Sequence, residues 1–185
     1  MKKSFGSQPY FYPCPVLIIA TYDENKNPDA MNAAWGGLYD RDQVVLCLSQ
    51  NHKTTENIKA QKAFTISFAD TDHIQGCDYV GLVSGHEESN KIQKAGFHVV
   101  KSELVNAPVI EELPVTLECE FVRCTEEGNI IGKIVNVLMD EDVLDDKGQL
   151  DMNRFHPISF EPFHRTYHVL GEKVGQAFSD GAKLK

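Results

Sequence analysis

Lys53, Thr54 and Thr55 stand together in the stretch SQNHKTTENIK, where an apolar strand gives way to a helical pattern. One cation and two hydroxyls at a helix N-terminus can hold an anion. The first turn of a helix exposes N–H groups without intrahelical acceptors. Its aligned peptide dipoles add roughly half a positive charge, so a phosphate meets donors already aimed at it. Ser49, Gln50 and Asn51 lead in from the strand. The same residues also fit a plainer role, in which Thr54 or Thr55 caps the helix and Lys53 lies in solvent. No Gly-x-x-x-x-Gly-Lys pattern is present, so nucleoside triphosphate hydrolysis finds no support.

A second stretch, MNAAWGG, brings Asn32, Ala33, Ala34 and Trp35 together. Small residues beside a strand let a flat ligand approach backbone N–H and C=O groups closely. Asn32 and those amides can hydrogen-bond the edge of a heteroaromatic ring. Trp35, the only Trp, suits either stacking on such a ring or packing in the core.

Other candidates carry less. His164 and His168 are four apart, but PFHRTYHVL reads as loop and strand, so no metal site is expected. His52 adjoins the anion site and fits a solvent position equally well. His73 sits in the loop DTDHIQG. Cys77, in GCDY, has no neighbouring cation to activate it and reads as an inert thiol. The acidic run DEDVLDD reads as a solvated turn that can also dock or repel a charged partner.

The elements that must position these residues are mostly short strands. Residues 16–22 (VLIIATY), 43–49 (QVVLCLS) and 63–70 (AFTISFAD) are apolar and β-branched, with turn chemistry such as DENKNPDA between them. TTENIKAQK predicts a helix. Ile74, Cys77, Val80 and Val83 recur at threes and predict another, weakened by Gly76 and Gly81. EESNKIQKAG predicts a short helix stopped by a left-handed Gly96. PVTLECEFVRC alternates apolar residues with Thr116, Glu118 and Glu120, which predicts a half-buried strand with one wet face. TEEGN then turns it into the long strand IIGKIVNVLM, as a hairpin. Strands at this spacing with inserted helices predict a mainly β fold, an antiparallel barrel with helical insertions. No linker divides the chain, so one domain over 1–185 is expected.

Composition narrows the function classes. The net charge of −9 argues against nucleic acid as a partner, though a local pocket of amides and cations still admits one phosphate. Five cysteines without a C-x-x-C, mostly among apolar neighbours, predict reduced buried thiols in a cytoplasmic protein. The early run PVLIIA is too short for a signal peptide, and no segment reaches the ~18 apolar residues of a membrane helix.

Together, PCPVLIIATYDENKNPDAMNAAWGG, LSQNHKTTENIK, DYVGLVSG, NKIQKAGF, NAPVIEELPVTLECE, GKIVNV and YHVLGEKVGQAF resemble the flavin reductase-like family. The resemblance is to its flavoredoxin-type branch and spans nearly the whole chain. It implies an antiparallel Greek-key FMN-binding split barrel, with noncovalent FMN held at a homodimer interface. Asn32, Ala33, Ala34 and Trp35 would line the isoalloxazine and ribityl chain. Ser49, Gln50, Asn51, Lys53, Thr54 and Thr55 would hold the phosphate end, which favours an anion over mere capping. Val80, Gly81, Val83 and Ser84 would pass near the ring or the dimer seam. The implied activity is that of an FMN-dependent oxidoreductase. NADH or NADPH would reduce the flavin, and electrons would pass to a partner protein or a diffusible acceptor. No dinucleotide Gly-x-Gly-x-x-Gly is present, so a nicotinamide would enter through an open cleft. Because hydride transfer demands no protein acid or base, no catalytic residue is assigned. Two alternatives remain open: a flavin-binding carrier or sensor without its own substrate, and a barrel that binds a partner without flavin.

Overall fold

A computed structural model describes residues 1–184; Lys185, the last residue of the expected domain, lies outside the described residues. The chain opens with β1 (Cys14–Pro15), β2 (Leu17–Tyr22), β3 (Pro28–Ala33), β4 (Gly36–Asp40) and β5 (Gln43–Leu46). Helix α1 (Lys53–Gln61) leads to β6 (Ala63–Phe68), and α2 (Ile74–Leu82) and α3 (Lys91–Lys94) follow. The second half holds β7 (Val99–Lys101), β8 (Pro108–Ile110), β9 (Val115–Cys124), β10 (Ile130–Met139), β11 (Ile158–Glu161) and β12 (Thr166–Val169).

Seven strands form one antiparallel sheet in the order β3-β2-β6-β9-β10-β5-β4. β1, β11 and β12 make a second sheet, and β7 and β8 a third. The mainly β barrel with inserted helices is therefore the architecture predicted from the sequence. β2 explains its own composition. Leu17 and Ile19 pack into one core cluster with Phe64, Ile66 and Ile130. Ile18 and Ala20 pack into another with Val80, Ile92 and Phe97. Side chains alternate across a strand, so a strand covered on both faces reads as an unbroken apolar run. Full burial of each such side chain contributes about 1.5–3 kcal/mol.

The β9–β10 hairpin forms as expected, with Thr125 N–H donating to Asn129 O at 2.8 Å. Gly96 follows α3 at φ +81°, the expected left-handed stop. Two expectations fail. The second face of β9 is wet only toward its far end: Glu120 is exposed as expected, but Thr116 and Glu118 are buried at 1% exposure each. Thr116 shares a 2.7 Å hydrogen bond with Ser67. Glu118 accepts from Ser102, and from Asn136 Nδ2 at 2.6 Å. Alternation shows that a strand has two faces; it does not show that a later loop supplies polar partners to the second. Cys47 is not buried either. Val44, Leu46 and Leu48 take the inward positions, so the period of two turns Cys47 outward. Among the described residues, no helix is long and apolar enough to cross a membrane.

Candidate functional site

α1 begins with an uncapped first turn. His52 is its N-cap and makes no side-chain cap hydrogen bond, so capping by Thr54 or Thr55 is not the arrangement found. Both threonines lie inside the first turn and are buried. Thr54 Oγ1 donates to Asp29 Oδ2 at 2.6 Å, tying α1 to β3. Thr55 Oγ1 donates to Ser49 O at 2.8 Å, closing the strand-to-helix turn. Their hydroxyl protons are committed to the protein. What the helix start offers an anion is its first-turn N–H groups and the cation of Lys53.

Those groups face a cleft of about 270 Å³ between α1, β3 and the segment 80–85. Of the residues expected at the site, Asn32, Lys53, Thr54, Val80, Gly81, Val83 and Ser84 line it together. Lys91 also lines it and was not foreseen. Its Nζ lies 2.8 Å from Asp29 Oδ1 and donates to Val83 O at 3.3 Å. Asp29 Oδ1 makes no aligned hydrogen bond, so this contact is an ion pair by distance alone. Gly85 allows the close packing: a Cβ there would fall 2.4 Å from Asp29 Oδ1. Lys53 and a helix N-terminus thus face one cleft, with the Lys91–Asp29 ion pair in its wall, on a chain whose net charge is −9.

A second hollow, about 240 Å³, adjoins the first and shares Asn32, Gly81 and Leu82 with it. Ala34, Asp78, Phe160 and Tyr167 complete it. Tyr167 Oη donates to Asp78 Oδ1 at 2.7 Å. Asn32 Nδ2 donates to Cys77 O at 3.0 Å and reaches Tyr167 Oη at 3.5 Å. Burial, then the bond to Asp78 and its charge, push the Tyr167 hydroxyl well above the usual phenol range. It stays protonated at neutral pH.

The remaining expected residues stand elsewhere. Ala33, the last residue of β3, is buried in the core. Trp35 is 61% exposed and lines neither hollow. Ser49 serves through its carbonyl, and Gln50 bonds Gly128 O and Lys59 instead. Asn51 is exposed. His73 lies 2.8 Å from Asp70, away from both hollows. His164 pairs with Glu161, while His168 sits against Thr166 on β12. Among the described residues, no group of three His, Cys, Asp or Glu is placed to hold a metal ion.

Asp78, Tyr167, Phe160 and Lys91 escaped the residue-by-residue reading. Tyr167 and Phe160 come from the end of the chain, and Lys91 resembles any lysine of a solvated helix. Only the quoted stretches DYVG and YHVL carried a signal for Asp78 and Tyr167. The arrangement suits an elongated ligand with an anionic end at α1 and a planar part extending along β3 toward the second hollow.

Residues 10–160 match the family model described as flavin reductase like domain. The fold is similar to flavoredoxin of Desulfovibrio vulgaris (Miyazaki F), with a TM-score of 0.94 and 35% identity over 98% of this chain and 100% of that one. It is similar to flavoredoxin from Methanosarcina acetivorans, with a TM-score of 0.89 and 25% identity over the whole of both chains. An uncharacterised protein of Aeropyrum pernix is 24% identical over 118 residues. That match takes in 62% of this chain and 45% of the relative, so the chain spans under half of that relative's length.

Proposed function

This chain belongs to the flavin reductase-like family, and on that premise we propose that it is an FMN-dependent oxidoreductase that takes electrons from NADH or NADPH. The observation that carries the reading is the uncapped start of α1, opening with Lys53 onto one cleft. A phosphomonoester fits there because the donors and the charge are already in place. The first-turn amides and Lys53 would hold the phosphate, and Asn32 and Gly81 would flank the ring. Bound flavin supplies one- and two-electron chemistry that side chains lack. The chain's part is to bind, to orient and to leave the adjoining hollow open to a second molecule.

A homodimer belongs to the same reading. An apolar hollow of about 380 Å³, lined by Leu17, Leu38, Val44, Leu46, Ile66 and Phe68 among others, opens on the sheet, and Leu38 is 75% exposed. A second copy covering this face would remove apolar surface from water.

The likeness to flavoredoxins favours a second reading, in which the protein carries electrons without a substrate of its own. Anaerobic stopped-flow separates the two. The protein reconstituted with FMN is expected to lose its flavin absorption band on mixing with NADH or NADPH. If the band persists with both, the reductase reading fails and the carrier reading stands. If the protein takes up no FMN, both fail.

A further inference from the structure

An apolar groove of about 460 Å³ runs between β1, β11 and the loop that precedes β11. Val16, Val115, Phe155 and Ile158 floor it, each under a tenth exposed, while Met152 and Leu170 stand half-exposed at its rim. The Ser159 hydroxyl in its lining donates to His168 O, and the Cys14 thiol donates to Phe11 O. Pro15 and Phe68 line both this groove and the apolar hollow offered above as the homodimer face, so the two make one continuous surface.

Among the described residues, none past Leu170 lines the groove. From His168 to Ala182 every residue is exposed, and Val174 and Phe178 are fully so. Yet this segment is held in turns of its own. Ser179 and Asp180 N–H both donate to Gln176 O, and Gln176 N–H donates to Asp180 Oδ2 at 2.8 Å. Ordering a segment costs conformational entropy, and two large apolar side chains left in water do nothing to offset it. An uncovered groove and an uncovered apolar segment on one chain can satisfy each other in a pair of copies, because a two-fold assembly makes every contact twice.

We propose that residues 171–182 are an exchanged arm. Phe178, with Val174, packs into the groove of a second copy, and the arm of that copy fills this one. The inference rests on the homodimer part of the reading above and names the segment that seals the pair.

Sedimentation of the full chain with FMN present tests it. Phe178→Asp alters the arm and Met152→Asp the groove. Each variant alone loses both contacts and is expected to raise the dimer dissociation constant at least about a hundredfold, about tenfold for each large apolar side chain returned to water. Mixed in equal amounts, the two variants are expected to regain a dimer only about tenfold weaker than the unaltered one. The unaltered arm of the groove variant then enters the unaltered groove of the arm variant. An arm that served its own chain's groove gives no such rescue. Both side chains are exposed in the single chain, so folding is retained; Leu170→Asp takes the place of Met152→Asp if that variant does not fold. A dimer unaffected by either variant overturns the proposal and leaves the homodimer reading standing. Loss in both variants without rescue on mixing overturns it in favour of the chain's own groove. An unaltered chain that sediments as a monomer overturns both. So does, for the arm alone, an apolar small molecule that native mass spectrometry finds on the unaltered chain and not on Met152→Asp, since the groove then has another occupant.

Discussion

Asp29 Oδ1 lies 2.8 Å from Lys91 Nζ, and both side chains are less than a tenth exposed. The other oxygen of Asp29 accepts from Thr54. One carboxylate on β3 therefore holds α1 and α3 together beneath the cleft. Removing one member of a buried ion pair strands the other, at about 3–5 kcal/mol, whereas removing both costs far less. Lys91→Met is expected to lower stability to urea by that order. Asp29→Asn with Lys91→Met is expected to recover most of it. Equal losses in the single and double variants would show that the pair is uncoupled.

The proposed phosphate site separates the cation from the hydroxyls. Lys53 lines the cleft, while the Thr55 hydroxyl bonds Ser49 O. A charge-assisted hydrogen bond contributes about 1.5–3 kcal/mol. Lys53→Met is expected to weaken FMN by roughly tenfold or more, with riboflavin unchanged, in fluorescence titrations. Thr55→Val is expected to weaken both flavins alike, because it loosens the strand-to-helix turn. A selective loss of FMN in Thr55→Val would put that hydroxyl on the phosphate after all.

Glu118 gathers Ser102 and Asn136 under the sheet, and Ser102 Oγ also accepts the N–H groups of Leu104 and Val105. Glu118→Ala leaves buried donors without acceptors, each costing about 1–3 kcal/mol. Denaturant unfolding is expected to show a loss of that order or more, without change in flavin affinity per folded molecule. A loss below about 0.5 kcal/mol would mean that water replaces the carboxylate.

Thiol reactivity follows burial. Cys77 and Cys119 are pushed up to about 12 by burial, with the charges of Asp70 and Glu118 adding to it. Cys47 is exposed. Iodoacetamide at pH 8 is expected to label Cys47 in the native protein, and Cys77 and Cys119 only after unfolding. Mass spectrometry of digests checks this, and early labelling of Cys77 would contradict its packing.

His98 Nδ1 lies 2.6 Å from Glu112 Oε1. That hydrogen bond, then the carboxylate's charge, raises the His98 pKa above its ordinary 6.5. Burial pulls Glu112 upward, but the hydrogen bonds from His98 outweigh it and the net shift is downward from 4.5. The pair is fully charged between those two ordinary values. Its contribution fades as pH rises through the raised His98 pKa, and as pH falls through the lowered Glu112 one. His98 is largely exposed, so the effect on stability is small. NMR titration is expected to give His98 a midpoint above 6.5 that drops in Glu112→Gln. A midpoint at or below 6.5 in the unaltered protein would exclude the pairing in solution.

Much of this molecule was legible in its residues. Apolar runs cut by turn chemistry disclosed the strands, because a strand covered on both faces needs apolar residues throughout and one with a wet face needs them at every second position. SQNHKTTENIK disclosed a helix start with a cation beside it, because both signals are local. Yet the threonines turn inward, to Asp29 and to Ser49 O, and no local rule says which way a first-turn hydroxyl points. The amino-acid order by itself determined the β architecture and a helix start with a lysine beside it. Only the tertiary structure decided which distant residues complete the site: Lys91 from α3, Asp78 from α2, and Phe160 and Tyr167 from the last strands. Local pattern records what a residue's neighbours in the chain demand of it. A site assembled across 135 residues, from Asn32 to Tyr167, depends on packing contacts that no local period encodes.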